Sequence, residues 1–119
     1  MVVIVDDDPA VRASLQFALE VEGYTVHAFA TGEELLEAEP PLNGCLVLDF
    51  KIPGLNGLQL LDRLRARGHE LPAILITSNP TPATRENAAR AGVPIIEKPL
   101  LGSTLSDAIR AALQPYPKR

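Results

Sequence analysis

Cysteine is almost missing from this sequence, and a surplus of basic charge, long apolar runs and internal repeats are missing altogether. The single Cys45 rules out an intrachain disulfide and argues against a zinc cluster. The two histidines, His27 and His69, stand far apart with no Cys or His close by, so metal-ligand spacing is lacking. Against 15 Asp and Glu there are 11 Lys and Arg, a formal charge of -4. The basic residues are scattered, with Arg63, Arg65 and Arg67 the densest group, and they leave no nucleic-acid footprint. No apolar run approaches the roughly 18–20 residues that a membrane span needs. The N-terminus also has none of the basic stretch, long apolar core and small-residue cleavage site of a signal peptide. The expected setting is reducing and cytoplasmic, with neither membrane nor nucleic acid as a direct partner.

What is present is enough apolar residue, 46% of 119 positions, to build one domain with a sizeable core. Apolar runs alternate with helical stretches. Val2–Val5 is β-branched and reads as a buried strand. Asp8 then caps a helix with Pro9 at its first position. Val11, Leu15, Ala18, Leu19 and Glu22 follow at helical spacing, and Gly23 ends the helix. Thr25–Phe29 reads as the second strand. Thr31 with Glu34 makes a capping box for a short helix that Pro40 and Pro41 stop. The third strand is Cys45–Leu48, ending at Asp49. A loop with Pro53, Gly54, Asn56 and Gly57 leads into a helix carrying Leu58, Leu61 and Leu64, closed by Gly68. Ala73–Thr77 is the fourth strand. The stiff segment Asn79-Pro80-Thr81-Pro82 precedes a helix that runs to Gly92. Ile95 and Ile96 form a short fifth strand, ended by Lys98-Pro99. The last helix starts near Ser103 and buries Leu105, Ala108, Ile109, Ala112 and Leu113. Residues 114–119, with Pro115 and Pro117, read as a tail or linker stub on a single domain spanning 1–119.

Strands alternating with helices predict a parallel sheet covered on both faces, because the strands read as unbroken apolar runs. Ligands of such sheets bind beyond the carboxyl ends of the strands. Those ends carry Asp6, Asp7 and Asp8, then Asp49, then Thr77 and Ser78, then Lys98. Two carboxylates ~5 Å apart repel by roughly 3 kcal/mol at an effective dielectric of 20. Asp6, Asp7 and Asp49 form three such pairs, more than Lys98 alone offsets. Either a carboxyl keeps its proton or a cation joins them. Oxygen ligands without Cys or His suit a hard ion such as Mg²⁺. A carboxylate can also accept a phosphoryl group as an acyl phosphate, with metal and ammonium neutralising the transferring oxygens. Relief of the repulsion predicts that Asp49→Asn raises metal-free stability.

Each signal alone has a plainer reading. Asp8 caps, Asp49 can form a turn, Thr77 suits a strand, and Lys98 can be a solvated charge. The acidic stretch Glu33–Glu39 reads as a solvated helix face, and Gly54, Asn56 and Gly57 as backbone turns. A phosphatase using an Asp nucleophile would want a second acid at position 51, where Lys51 stands.

Taken in order, the residues resemble the receiver domain of a two-component response regulator over essentially the whole chain. The carriers are Val-Asp-Asp-Asp at 5–8 with Val11-Arg12, Leu-Asp-Phe-Lys-Ile-Pro-Gly-Leu-Asn-Gly at 48–57, Ile-Thr-Ser at 76–78 and Glu-Lys-Pro at 97–99. The spelling is nearest the FixJ/NarL-type branch. The resemblance implies a flavodoxin-like (βα)5 doubly wound α/β fold with strand order 2-1-3-4-5. It implies that Asp49 accepts phosphate from a histidine kinase or phosphotransfer protein. Asp6, Asp7, Asp49 and the backbone carbonyl of Lys51 would hold Mg²⁺ or Mn²⁺. Thr77 would be the switch hydroxyl, and Lys98 the phosphate-pairing amine before a cis-proline at Pro99. Such a domain catalyses only its own phosphorylation and dephosphorylation. Its output goes to a protein partner, to an effector domain missing here, or to a phosphorylation-linked homodimer. Three departures stand out: Ile95 replaces the usual aromatic, the step from Gly92 to Lys98 is one residue short with Pro94 inside it, and no helix-turn-helix follows. The missing aromatic at position 95 motivates an output route through the loop at 78–82, and Ile95 with the shortened step motivates a competing reading as an interaction module that works without phosphate.

Overall fold

A computed structural model describes residues 1–38, 44–98, 100 and 103–113. The expected stop at Pro40 and Pro41, the cis-proline at Pro99 and the tail at 114–119 lie outside the described residues. In chain order the elements are β1 (Val2–Val5), α1 (Pro9–Val21), β2 (Val26–Phe29), α2 (Gly32–Ala38), β3 (Cys45–Asp49), α3 (Gly57–Ala66), β4 (Ala73–Thr77), α4 (Pro82–Ala91), β5 (Ile95–Glu97) and α5 (Thr104–Leu113). The strands pair in parallel in the order β2-β1-β3-β4-β5, as expected from the resemblance.

Every residue of β1, β3 and β4 is buried, which explains their unbroken apolar runs. Successive side chains go to opposite faces. Val3, Val5, Leu46, Leu48 and Leu75 pack on one side with Leu35 of α2, Leu60, Leu61 and Leu64 of α3, and Ala88 of α4. Val2, Ile4, Val47, Ile74 and Ile76 pack on the other with Leu19 of α1 and Leu105 and Ile109 of α5. Each such aliphatic side chain removed from water contributes about 1.5–3 kcal/mol. The edge strands β2 and β5 are only partly covered.

Caps set where the chain leaves the sheet. Asp8 accepts from Ala10 N at 2.9 Å and Val11 N at 3.3 Å, with Pro9 at the start of α1. Thr31 Oγ1 accepts from Glu34 N at 3.1 Å, but Glu34 Oε1 reaches the N–H of Ala30 at 3.0 Å rather than that of Thr31. The box is therefore wider by one residue than the spacing suggests. The stripe expected on α1 is also narrower: Leu19 is buried and Val11 and Leu15 are half-buried, but Ala18 and Glu22 face solvent, as do Phe17 and Val21. Among the described residues no helix is long and apolar enough to cross a membrane.

Candidate functional site

The strand order reverses between β1 and β3, and the acidic residues gather at their carboxyl ends. Asp6 follows β1 and is 1% exposed; Asp49 closes β3 and is 5% exposed; Asp7 beside them faces solvent. One carboxylate oxygen from each of Asp6, Asp7 and Asp49 lies within 4.8 Å of the others.

Asp6 is held from several directions. Its N–H donates to Phe29 O at 3.1 Å, and its carbonyl accepts from Arg12 Nη1 at 2.7 Å. Its Oδ1 accepts from Asp8 N at 2.9 Å, while Oδ2 is buried and has no hydrogen-bond partner among the described residues. Burial raises the Asp6 carboxyl above its usual range; the Asp8 N–H acts against this, and the charge of Asp49 adds to it.

Asp49 is paired. Lys98 Nζ donates to its Oδ2 at 3.0 Å, and the N–H of Lys51 donates to its Oδ1 at 3.2 Å. Burial acts to lower the Lys98 pKa, but the hydrogen bond and charge of Asp49, with Asp6 and Asp7 behind, raise it on balance. The ammonium is thus kept charged. Lys98 reaches the cleft because its N–H continues the β4–β5 ladder to Thr77 O at 2.9 Å. The side chain of Thr77 is buried at the end of β4, and its hydroxyl makes a long 3.4 Å bond to Ser78 O. Among the described residues it has no hydrogen bond to Asp49. Lys51 itself is exposed.

Asp6, Asp7, Asp49 and Lys98 are therefore brought together, with Thr77 at the adjacent strand end. The contact from Arg12 was not visible as a site feature in the sequence; its sign is a cation in the first turn of a helix. The turn reading of Asn56 and Gly57 is corrected as well. Asn56 caps α3 in a reciprocal box with Gln59, both bonds at 2.9 Å, and Gly57 is the first helical residue. The spacing Asn-x-x-Gln carried that signal.

An open α/β sheet with a buried acidic cleft at its reversal point, faced by a lysine, defines a doubly wound α/β domain whose ligand site lies beyond the strand ends. Residues 2–110 match the family described as response regulator receiver domain. The transcriptional regulatory protein FixJ of Azorhizobium caulinodans is 38% identical over 112 residues, 92% of this chain and 53% of that protein. The C4-dicarboxylate transport transcriptional regulatory protein DctD of Pseudomonas aeruginosa is 33% identical, over 95% of this chain and 25% of its own length. A solved receiver domain protein (CheY-like) from Methanospirillum hungatei superposes with a TM-score of 0.85 at 30% identity, over 94% of this chain and 91% of that one. The chain belongs to the response regulator receiver domain family and is a domain of two-component signalling. It spans about half the length of FixJ and a quarter of DctD.

Proposed function

We propose that this domain takes a phosphoryl group onto Asp49 and converts the added charge into a change of protein contacts. The observation that carries the reading is the pairing of Asp49 with Lys98 beside a buried oxygen of Asp6 that has no hydrogen-bond partner among the described residues. That orphaned oxygen, in an all-oxygen cluster, fits a hard divalent cation. Asp6, Asp7 and Asp49 would hold Mg²⁺ or Mn²⁺, with the carbonyl of Lys51 as a further ligand. When bound, the ion neutralises charge on the transferring phosphoryl oxygens.

A carboxylate oxygen of Asp49 attacks phosphorus, and an O–P bond forms as the N–P bond of a phosphohistidine breaks. The electron pair of that bond stays on the imidazole nitrogen of the donor, a histidine kinase or phosphotransfer protein. Lys98 stabilises the equatorial oxygens as charge builds there. The Thr77 hydroxyl, held only by a long bond, turns to donate to the new phosphate. The aspartyl phosphate then brings extra negative charge and acceptor oxygens to the ends of β4 and β5. Water later cleaves it, so the chemistry is confined to the domain's own modification. The output acts on a protein partner, on an effector domain such as the longer relatives have room for, or on a second copy of the domain, within the cytoplasm and without direct contact to nucleic acid.

The test is incubation with Mg²⁺ and acetyl phosphate, followed by intact mass. The wild type is expected to gain one phosphoryl group and Asp49→Ala none. No gain in the wild type, or equal gain in Asp49→Ala, overturns the reading and revives the phosphate-independent module.

A further inference from the structure

Arg12 occupies a place where a helix disfavours a cation. The first turn of an α-helix carries partial positive charge, so anionic side chains are the stabilising neighbours there. No acidic residue lies in the first turn of α1, and Arg12 follows its cap by four positions. The backbone N–H of Arg12 bonds Asp8 O at 2.9 Å. Its side chain turns back toward the helix start, the direction that helical side chains favour. There it donates to the carbonyl of Asp6 at 2.7 Å.

The result is an Asp6 fixed on every side but one. Its N–H is held by β2, its carbonyl by Arg12 and its Oδ1 by Asp8 N, while Oδ2 has no partner among the described residues. Arg12 is half-buried and takes part in none of the ion pairs among the described residues. Its contact is to a main-chain oxygen, so it sets geometry rather than pairing with the acids. We infer that Arg12 is a positioning residue for the acidic cleft: it clamps the Asp6 peptide so that the free carboxylate oxygen stays in place beside Asp7 and Asp49 for a divalent cation. The inference rests on the reading of the cleft as an ion site. Groups that orient metal ligands in this way typically change metal affinity by about 10–100-fold when removed.

The test compares wild type, Arg12→Ala and Arg12→Lys. Alanine is the strongest helix former, so α1 is retained, and metal-free melting checks the fold. Mg²⁺ is titrated against melting temperature, against the amide NMR shifts of Asp6 and Asp7, and against the rate of phosphorylation by acetyl phosphate. In Arg12→Ala the half-saturating Mg²⁺ concentration is expected to rise about tenfold, with the plateau rate at saturating Mg²⁺ kept. Arg12→Lys, which keeps a donor, is expected to fall between. Equal half-saturation in all three proteins overturns the inference. So does an Arg12→Ala that loses plateau rate while its Mg²⁺ affinity is unchanged, because that is a general structural effect. A wild type without any Mg²⁺-dependent shift removes the ion site and the role of Arg12 together, whereas a wild-type shift matched by Arg12→Ala removes Arg12 alone.

Discussion

A Cβ on Gly57 would stand 2.8 Å from the main-chain oxygen of Asp49 and 2.8 Å from Leu75 Cδ1. Glycine is needed there for close approach, since the first turn of α3 presses on the residue that ends β3. Gly57→Ala is expected to cost about 1–3 kcal/mol in urea unfolding, because neither backbone nor packed leucine yields easily. A midpoint equal to wild type would show that the loop relaxes without strain. Cys45 illustrates burial acting on a single group. It is fully buried in β3, and burial pushes its thiol from 9.0 to about 11. Between those two values the folded state holds a proton that the unfolded chain releases, so stability is full below pH 9.0 and is lost as pH rises toward 11. Cys45→Ala leaves a small cavity and is less stable at neutral pH, yet its stability is expected to fall less between about pH 8 and about pH 10.5. Parallel alkaline slopes in urea titrations of the two proteins would contradict this.

At the scale of elements, what was readable depended on how local the cause was. The boundaries of β1 and β4 follow from apolar runs that end in polar residues, and the start of α1 from Asp8-Pro9, because run and cap are each contained in a few neighbouring positions. The face of α1 was not readable in full. Periodicity locates an apolar stripe but not how far a flanking sheet extends, and α1 sits over the β1–β2 edge, where Ala18, Phe17 and Val21 fall beyond cover. In the same way the acids at strand ends were legible from the reversal rule, whereas the 3.0 Å bond from Lys98 to Asp49 joins positions 49 residues apart and needs the three-dimensional register. At the start of α3 the same residues suit a turn and a cap, and the spacing of Asn56 and Gln59 decides for the cap. Asn56 and Gln59 satisfy each other's N–H groups, and Asn56→Ala is expected to lower stability by about 1 kcal/mol in thermal or urea unfolding. Gln59→Ala removes one of the two bonds and is expected to cost less. If Asn56→Ala melts with the wild type, solvent satisfies this helix end as well as the box does.

For the molecule as a whole, the parallel sheet supplies stability at its centre and concentrates charge at one rim. The same topology that buries β1, β3 and β4 brings Asp6 and Asp49 out of water together, and among the described residues Lys98 is the one cation paired with Asp49. Without a cation the fold therefore carries the cost of like charges in a place that water reaches poorly. Asp6→Asn removes a carboxylate whose pKa is raised by burial and whose Oδ2 has no partner among the described residues, so it is expected to raise the urea midpoint in the presence of a chelator. Asp49→Asn relieves the same repulsion, but it also dissolves the pair with Lys98, and its gain is expected to be smaller. Mg²⁺ reverses the order. A ligand that binds only the folded state at 100 times its Kd adds about 2.7 kcal/mol, and the wild type, with all three carboxylates, is the protein that should collect it in full. Both variants should gain less, and at saturating Mg²⁺ the wild type should overtake Asp6→Asn. Equal Mg²⁺ increments in the three proteins would mean that these carboxylates do not share an ion. Chelator midpoints lower than wild type in both variants would mean that Lys98 and the surrounding dipoles already outweigh the repulsion.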